Sequence, residues 1–211
     1  MAERVYDFYV GRQSSGKTFT LKRRANYLAY RTRATSVFVL DTQYEWSDVW
    51  PDALSVESWG DYLAEMHERE FYPPVVVFQL GIEPDAYREV FLEAIAVGDV
   101  VLVIDEAYTF APAGSTWRGD SDLRRIVYAG RHLRNADGEL STVGIIAATQ
   151  RPRSVHLDLW TQANNIVTTR VEGDNVRKWI AENFGSEHLA PVADLPQYRW
   201  HVLRGSMPRH T

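Results

Sequence analysis

The sequence predicts an α/β fold with a mostly parallel central sheet and helices on both faces. Three observations support this prediction. Short apolar segments alternate with helix-like segments along the 211 residues. A glycine-rich pattern joins the first apolar segment to the first helix, and a later apolar segment ends in two adjacent carboxylates. No linker-like run divides the chain, so we expect one domain over residues 1–211.

The first strand and the first helix enclose the most specific motif. Residues 4–10 are rich in Val and Tyr and predict a strand, and residues 18–30 have apolar positions at helical spacing. Between them, residues 11–18 read G-x-x-x-x-G-K-T, the pattern of a phosphate-binding P-loop. A glycine-rich turn that binds nothing is the alternative, but the strand–loop–helix context favours nucleotide binding. We expect nucleotide contacts from Gly11, Ser14, Ser15, Gly16, Lys17, Thr18 and Phe19.

Lys17 and Thr18 have the clearest expected roles in this loop. The ammonium group of Lys17 is expected to reach the β- and γ-phosphates and so to take part in catalysis, and the Thr18 hydroxyl is expected to ligate Mg²⁺. Gly11 and Gly16 allow the backbone to approach phosphate oxygens closely. The sequence therefore predicts ATP and Mg²⁺ as cofactors.

The rest of the chain continues the alternation of strands and helices. Ser58 is a candidate N-cap, Pro84 suits a first helical turn, and Gly98 suits a helix end. The strand at 100–104 is the most continuously apolar, so we expect it at the centre of the sheet. Strands are predicted at 36–40, 75–80, 100–104, 142–149, 165–171 and 198–203, and helices at 58–71, 83–97, 121–135 and 174–184.

The strand at 100–104 runs directly into Asp105 and Glu106, which is the Walker B pattern. Asp105 is expected to hold Mg²⁺ directly or through water. Glu106 is expected to polarise a water molecule for attack on the γ-phosphate. An acidic strand end without catalytic meaning is the alternative, but the P-loop upstream favours the catalytic interpretation.

The strand at 142–149 ends at Gln150. Adjacent parallel strands end at the same edge of a sheet, so Gln150 is expected near Asp105 and Glu106. There its amide can hydrogen-bond the γ-phosphate or the attacking water. An ordinary polar residue in the loop after a strand is the alternative.

Several segments resemble the FtsK–HerA superfamily of P-loop ATPases. Residues 144–152 read G-I-I-A-A-T-Q-R-P and are followed by N-N-I-V-T-T-R at 164–170, two patterns similar to those of that superfamily. Residues 39–45, the pair Gly130-Arg131 and the pair Leu195-Pro196 also resemble its segments. The resemblance covers residues 6–205 and implies an ASCE/RecA-like P-loop NTPase fold.

The resemblance also implies a function and partners. Members of the superfamily are ring-forming pumps for DNA or protein, and the shortest are viral genome-packaging ATPases. The expected activity is therefore ATP-driven movement of double-stranded DNA into a capsid by a homo-oligomeric ring, a pentamer or a hexamer. A capsid portal or vertex protein is a further expected partner. The expected location is the host cytoplasm, with the packaging vertex of the virion as a second site.

Three other functions remain open from the sequence. A nucleoside kinase fits the length, but Gln150-Arg-Pro does not fit that class. An export ATPase of the zonula-occludens-toxin type normally has a transmembrane segment, and no apolar run here reaches about 18 residues, so membrane insertion is not expected. A nucleotide-gated scaffold would require the loss of Lys17, Asp105 or Glu106, and all three are present.

The chain has no cysteine, so a disulfide framework and a Cys-based zinc site are excluded.

Two basic segments are candidates for a shared active site and for DNA contact. On a helix over 121–135, Arg124, Arg131 and Arg134 would lie on one face, and we expect Arg131, or else Arg134, to act on the nucleotide of a neighbouring subunit, with Arg151 as a third candidate. In the loop at 110–120, Trp117 and Arg118 are expected to contact DNA. A solvated arginine face and an ordinary surface loop are the alternatives.

Overall fold

The computed structural model describes residues 4–12, 14–31, 34, 36–46, 50, 52–114, 122–171 and 173–205. The strands are β1 (Tyr6–Val10), β2 (Ser36–Leu40), β3 (Leu54–Val56), β4 (Val75–Phe78), β5 (Val100–Ile104), β6 (Leu133–Arg134), β7 (Leu140–Ser141), β8 (Val143–Thr149), β9 (Asn165–Thr168) and β10 (His201–Arg204). The helices are α1 (Lys17–Arg31), α2 (Trp59–His67), α3 (Arg88–Val97), α4 (Ala107–Phe110), α5 (Asp122–Ala129), α6 (Leu157–Thr161), α7 (Asp174–Phe184) and α8 (Leu189–Ala193).

Eight of these strands form one sheet in the order β10-β9-β1-β8-β5-β2-β4-β3. Every neighbouring pair is parallel except β10 and β9, which are antiparallel. The apolar strand β5 lies inside the sheet between β8 and β2, as its sequence predicts. The strands β6 and β7 form a separate antiparallel pair.

Apolar side chains fill a core on each face of the sheet because most strands are buried on both sides. On one face, α1 packs through Leu21, Ala25 and Leu28 together with two tryptophans of the loop after β2. On the other face lie α3, α5, α6 and α7. The predicted fold class, a mostly parallel sheet with helices on both faces, is confirmed.

The register of the strands brings the candidate site residues to one edge. Val10 at the end of β1 pairs with Thr149 at the end of β8, and Ile104 at the end of β5 pairs with Ala147. The P-loop, the Asp105-Glu106 pair and Gln150 each follow one of these strand ends. The parallel sheet therefore collects all three motifs, as expected from the sequence.

The predicted helix over 121–135 is wrong at its C-terminal end. The observed helix α5 stops at Ala129, and its last carbonyl groups accept hydrogen bonds from the buried Arg4 guanidinium, at 2.6 Å from Ile126 O and 3.0 Å from Val127 O. Arg4 also donates to Val143 O at 2.8 Å. Because these contacts end the helix, Arg131 lies in a turn and Arg134 in β6, and neither shares a helical face with Arg124.

Candidate nucleotide site

The P-loop is held in shape by its own side chains and by β9. The Ser15 hydroxyl donates to Arg12 O at 2.8 Å and lies 2.6 Å from the Thr169 hydroxyl. A Cβ at Gly11 would overlap Thr169, so only glycine fits there. Thr169 follows β9 and was not predicted as a site residue, because no local pattern in the sequence shows that it contacts a loop 154 positions away.

Lys17 lies inside the loop and donates a hydrogen bond from Nζ to Arg12 O at 2.9 Å. It is the first residue of α1 and is buried. Burial lowers the pKa of Lys17, while the nearby carboxylates of Glu106 and Asp105 oppose that shift. A charged amine so placed can exchange its carbonyl partner for phosphate oxygens.

A cavity of about 500 Å³ opens beside the P-loop. Most of the side chains that line it are polar or charged, and they include Lys17, Thr18, Glu45, Asp105, Glu106 and Gln150. Phe19, Tyr108, Gln197 and Tyr198 also line it. The cavity therefore has room and polarity for a nucleoside triphosphate.

Asp105 and Thr18 form the candidate Mg²⁺ site. The Thr18 hydroxyl and the Trp46 indole N–H both donate to the Asp105 carboxylate, the latter at 3.3 Å. Burial raises the pKa of Asp105, and these hydrogen bonds lower it in part. A hydroxyl and a carboxylate side by side fit Mg²⁺, which prefers oxygen ligands and takes the remainder from water and phosphate. Within the described ranges, no cluster of three or more His, Cys, Asp or Glu residues could hold a metal by itself.

Glu106 and Gln150 are in direct contact, as the sequence predicts. Gln150 Nε2 donates to Glu106 Oε1 at 2.8 Å, and Glu106 Oε2 is buried without a hydrogen-bond partner among the described residues. Burial raises the pKa of Glu106, while the hydrogen bond from Gln150 and the charge of Lys17 lower it. A buried carboxylate oxygen without a partner among the described residues, close to the P-loop lysine, is suited to accept a proton from water.

Asp41 organises the loop after β2, and sequence reasoning did not assign it a role. Its buried carboxylate accepts hydrogen bonds from the backbone N–H groups of Glu45 and Trp46 at 3.1 and 3.0 Å, and from Gln79 Nε2 at 3.0 Å. This network places Trp46 against Asp105 and Glu45 at the cavity wall. The signal available in the sequence was an acidic residue at the end of a buried strand.

The remaining candidate residues lie away from this cavity or outside the described residues. Arg131 is exposed near the start of β8, since the Val143 N–H donates to Gly130 O. That edge of the sheet is opposite the P-loop, so neither Arg131 nor the exposed Arg134 reaches the cavity of its own chain. Trp117 and Arg118 lie outside the described residues. Arg151, by contrast, lies next to the site, with its guanidinium 5.6 Å from the centroid of the Tyr108 ring.

Structural comparison identifies proteins with this arrangement of strands and helices. The genome packaging NTPase B204 from Sulfolobus turreted icosahedral virus 2, in complex with ATP-gammaS, has a TM-score of 0.71 and 23% identity, over 96% of this chain and 92% of that one. Its complex with AMPPCP gives a TM-score of 0.68 and 23% identity, over 96% and 93%. B204 of Sulfolobus turreted icosahedral virus, described as the DNA-packaging ATPase, gives 0.68 and 22% identity, over 95% and 92%.

The chain has the fold of these packaging NTPases. The similarity extends over nearly the full length of each protein, so it includes the central sheet. No protein-family model and no curated protein sequence matches the chain. Among the described residues, no helix combines the length and the apolar character needed to cross a membrane.

Proposed function

We propose that this protein is an ATP-hydrolysing motor that moves double-stranded DNA, with viral genome packaging as its role. One observation carries the hydrolytic part of the proposal: Lys17, Asp105, Glu106 and Gln150 line a single cavity beside the P-loop. The fold shared with B204 supports the packaging part, because B204 is described as a DNA-packaging ATPase.

The geometry supports the following division of roles. Backbone amides of the P-loop and the first turn of α1 bind the β-phosphate, and Lys17 interacts with the γ-phosphate. Thr18 and Asp105 would hold Mg²⁺, which would neutralise charge on the phosphate oxygens. Gln150 positions Glu106. Glu106 accepts a proton as the water oxygen bonds to the γ-phosphorus and the bond from that phosphorus to the bridging oxygen breaks, giving ADP and inorganic phosphate.

We also propose that the protein works as a homo-oligomeric ring, a pentamer or a hexamer. Developing charge on a transferred phosphoryl group is commonly stabilised by an arginine. Arg131 and Arg134 lie on the edge of the sheet opposite the P-loop, so they can serve a phosphate only on a neighbouring subunit. Trp117 and Arg118 are proposed to contact the DNA backbone, and a capsid portal or vertex protein is the proposed docking partner.

The enzymatic proposal is tested by measuring phosphate release from ATP with and without double-stranded DNA. The parent protein is expected to release phosphate without any phosphorylated acceptor and to be stimulated by DNA. Lys17→Ala is expected to lose nucleotide binding. Glu106→Gln is expected to bind nucleotide but to lose about 10²–10⁴ in rate. Transfer of phosphate to a nucleoside, or a Glu106→Gln rate equal to the parent rate, would contradict the proposal.

A further inference from the structure

Two aromatic side chains of the cavity, Phe19 and Tyr198, have no role in the proposed chemistry. Phe19 lies in the first turn of α1 and Tyr198 in the segment before β10, and both line the cavity. Their ring centroids are 4.9 Å apart with an interplanar angle of 59°. Both rings are nearly half exposed, at 45% and 48%. Two large aromatic rings are thus held together with open surface toward the cavity.

The backbone at Tyr198 is in a conformation that favours glycine. The Arg199 N–H donates to Pro196 O at 3.1 Å, which closes a tight turn with Tyr198 as its third residue. Tyr198 has a φ of 64°, and a turn with positive φ at its third position usually has Gly or Asn there. Strain at a bulky residue is common at sites that clamp a ligand. The turn therefore presents an aromatic ring where a smaller residue would fit the backbone better.

This turn packs against the P-loop. The position of a Cβ on Gly16 would lie 2.8 Å from a Tyr198 ring carbon and 3.2 Å from its Cα, so only a glycine allows the two segments to pack so closely. Gln197 Nε2 donates to Ser14 O at 3.3 Å. Phe19 directly follows Thr18 in the chain and Tyr198 packs against Gly16, so both rings border the backbone amides that are proposed to bind phosphate. Asp105, Glu106 and Gln150 line the same cavity.

We propose that Tyr198 and Phe19 form the nucleobase site, in which the base stacks on the exposed ring surface. The inference rests on the proposed nucleotide-binding function and adds to it the residues that bind the base. Aromatic rings contact the face of a base and tolerate different bases, because every base has a π-face. The site is therefore expected to bind ATP and GTP with affinities within about fivefold of each other.

The test measures binding of Mg²⁺–ATPγS and of Mg²⁺–tripolyphosphate by titration calorimetry. Tripolyphosphate occupies the P-loop but has no base. Tyr198→Ala is expected to weaken ATPγS binding about tenfold and to leave tripolyphosphate binding unchanged. Tyr198→Phe keeps the ring and is expected to match the parent with both ligands. Tyr30→Ala, at an exposed tyrosine in the last turn of α1 and outside the cavity lining, is the matched control.

Tyr198→Gly removes the ring and also suits the positive φ at this position, so it distinguishes the effect of the ring from the effect of the strained backbone. It is expected to weaken ATPγS binding as Tyr198→Ala does, although glycine suits the turn. Equal weakening of ATPγS and tripolyphosphate binding by the Tyr198 variants would mean that the residue only packs against the P-loop. Unchanged ATPγS binding would mean that the base binds elsewhere. Either result would overturn the nucleobase site but not the proposed function. Failure of the parent protein to bind either ligand would overturn the proposed function itself. Discrimination between ATP and GTP by more than about a hundredfold would contradict stacking as the mode of recognition.

Discussion

Glu106 is the residue on which the proposed chemistry depends most. Burial makes its charged form less favourable, and the amide of Gln150 and the charge of Lys17 make that form more favourable. The effect of burial is the largest of these, so the pKa of Glu106 lies above the usual value for glutamate. A general base with such a pKa is better suited to accept a proton near neutral pH than an exposed carboxylate is.

The pH dependence of catalysis tests this balance. Gln150→Leu removes the hydrogen bond to Glu106 Oε1, so the pKa of Glu106 should rise further. The acid limb of the kcat/KM profile, where activity falls as Glu106 becomes protonated, should therefore move to higher pH. An acid limb that stays in place in Gln150→Leu would show that Gln150 does not act through Glu106. Glu106→Gln provides the control, because its residual activity should lack that limb.

Stability without nucleotide provides a second test of Glu106. Its pKa is higher in the folded protein than in the unfolded chain, so the folded state binds the proton more tightly and loses stability as pH rises between the two values. Glu106→Gln removes the charge and keeps the shape. Its melting temperature should exceed that of the parent at pH 8, and the difference should disappear at about pH 3, below the ordinary pKa of glutamate, where Glu106 is protonated in both states. A lower melting temperature at pH 8 would contradict the assigned direction of the pKa shift.

At the level of elements, the sequence predicts best what is encoded locally. The bounds of β2, β5 and α7 agree with the prediction because each is defined by a continuous apolar run or by flanking residues such as Asp174 and Gly185. The N-cap at Ser58 is also confirmed, with its hydroxyl accepting from the Asp61 N–H at 3.1 Å. The P-loop, Asp105-Glu106 and Gln150 meet at one edge because all three follow parallel strands.

The missed features depend on contacts between distant residues. The end of α5 is fixed by Arg4, 122 positions away from Ile126, and no local pattern encodes that contact. Tyr198 packs against Gly16, although the two residues are far apart in the chain. The strand β3 was missed because its three residues form too short a run to distinguish from a loop.

The segment that follows α4 is where nucleotide state and DNA are expected to be linked. It begins a few residues after Asp105 and Glu106, and it contains Trp117 and Arg118. The double variant Trp117→Ala/Arg118→Ala should lower DNA-stimulated ATP hydrolysis, because it removes the proposed contacts with the DNA backbone. The rate without DNA should be unchanged. Hydrolysis rates measured over a range of DNA concentrations test this. Unchanged stimulation would exclude the segment from DNA contact.

For the whole molecule, the net charge and the position of Arg131 bear on the proposed DNA contact and on the proposed ring. The chain has a net charge of −5, so general coating of DNA is unfavourable and contact must come from local basic segments. Arg131 lies at the sheet edge opposite the P-loop, and the Arg4 guanidinium holds that region to α5 and β8. In a head-to-tail ring, which is the proposed assembly, an arginine at that position can complete the site of a neighbouring subunit.

Subunit mixing tests the shared site. Arg131→Ala and Glu106→Gln proteins should each be inactive alone, and a mixture should recover part of the activity because some interfaces then pair an intact Glu106 with an intact Arg131. Native mass measurements should confirm that the rings are mixed. Full activity of Arg131→Ala alone, or no recovery in mixed rings, would exclude Arg131, and the same experiment with Arg134→Ala would test the second candidate.

Movement of DNA is the central claim, and displacement of a third strand from a DNA triplex measures it most directly. A motor that advances along duplex DNA removes a triplex-forming oligonucleotide in its path. The parent protein with Mg²⁺ and ATP should displace the oligonucleotide, whereas Glu106→Gln, or the parent protein with ATPγS, should bind the duplex without displacing it. ATP hydrolysis that is stimulated by DNA but never displaces the third strand would contradict the account.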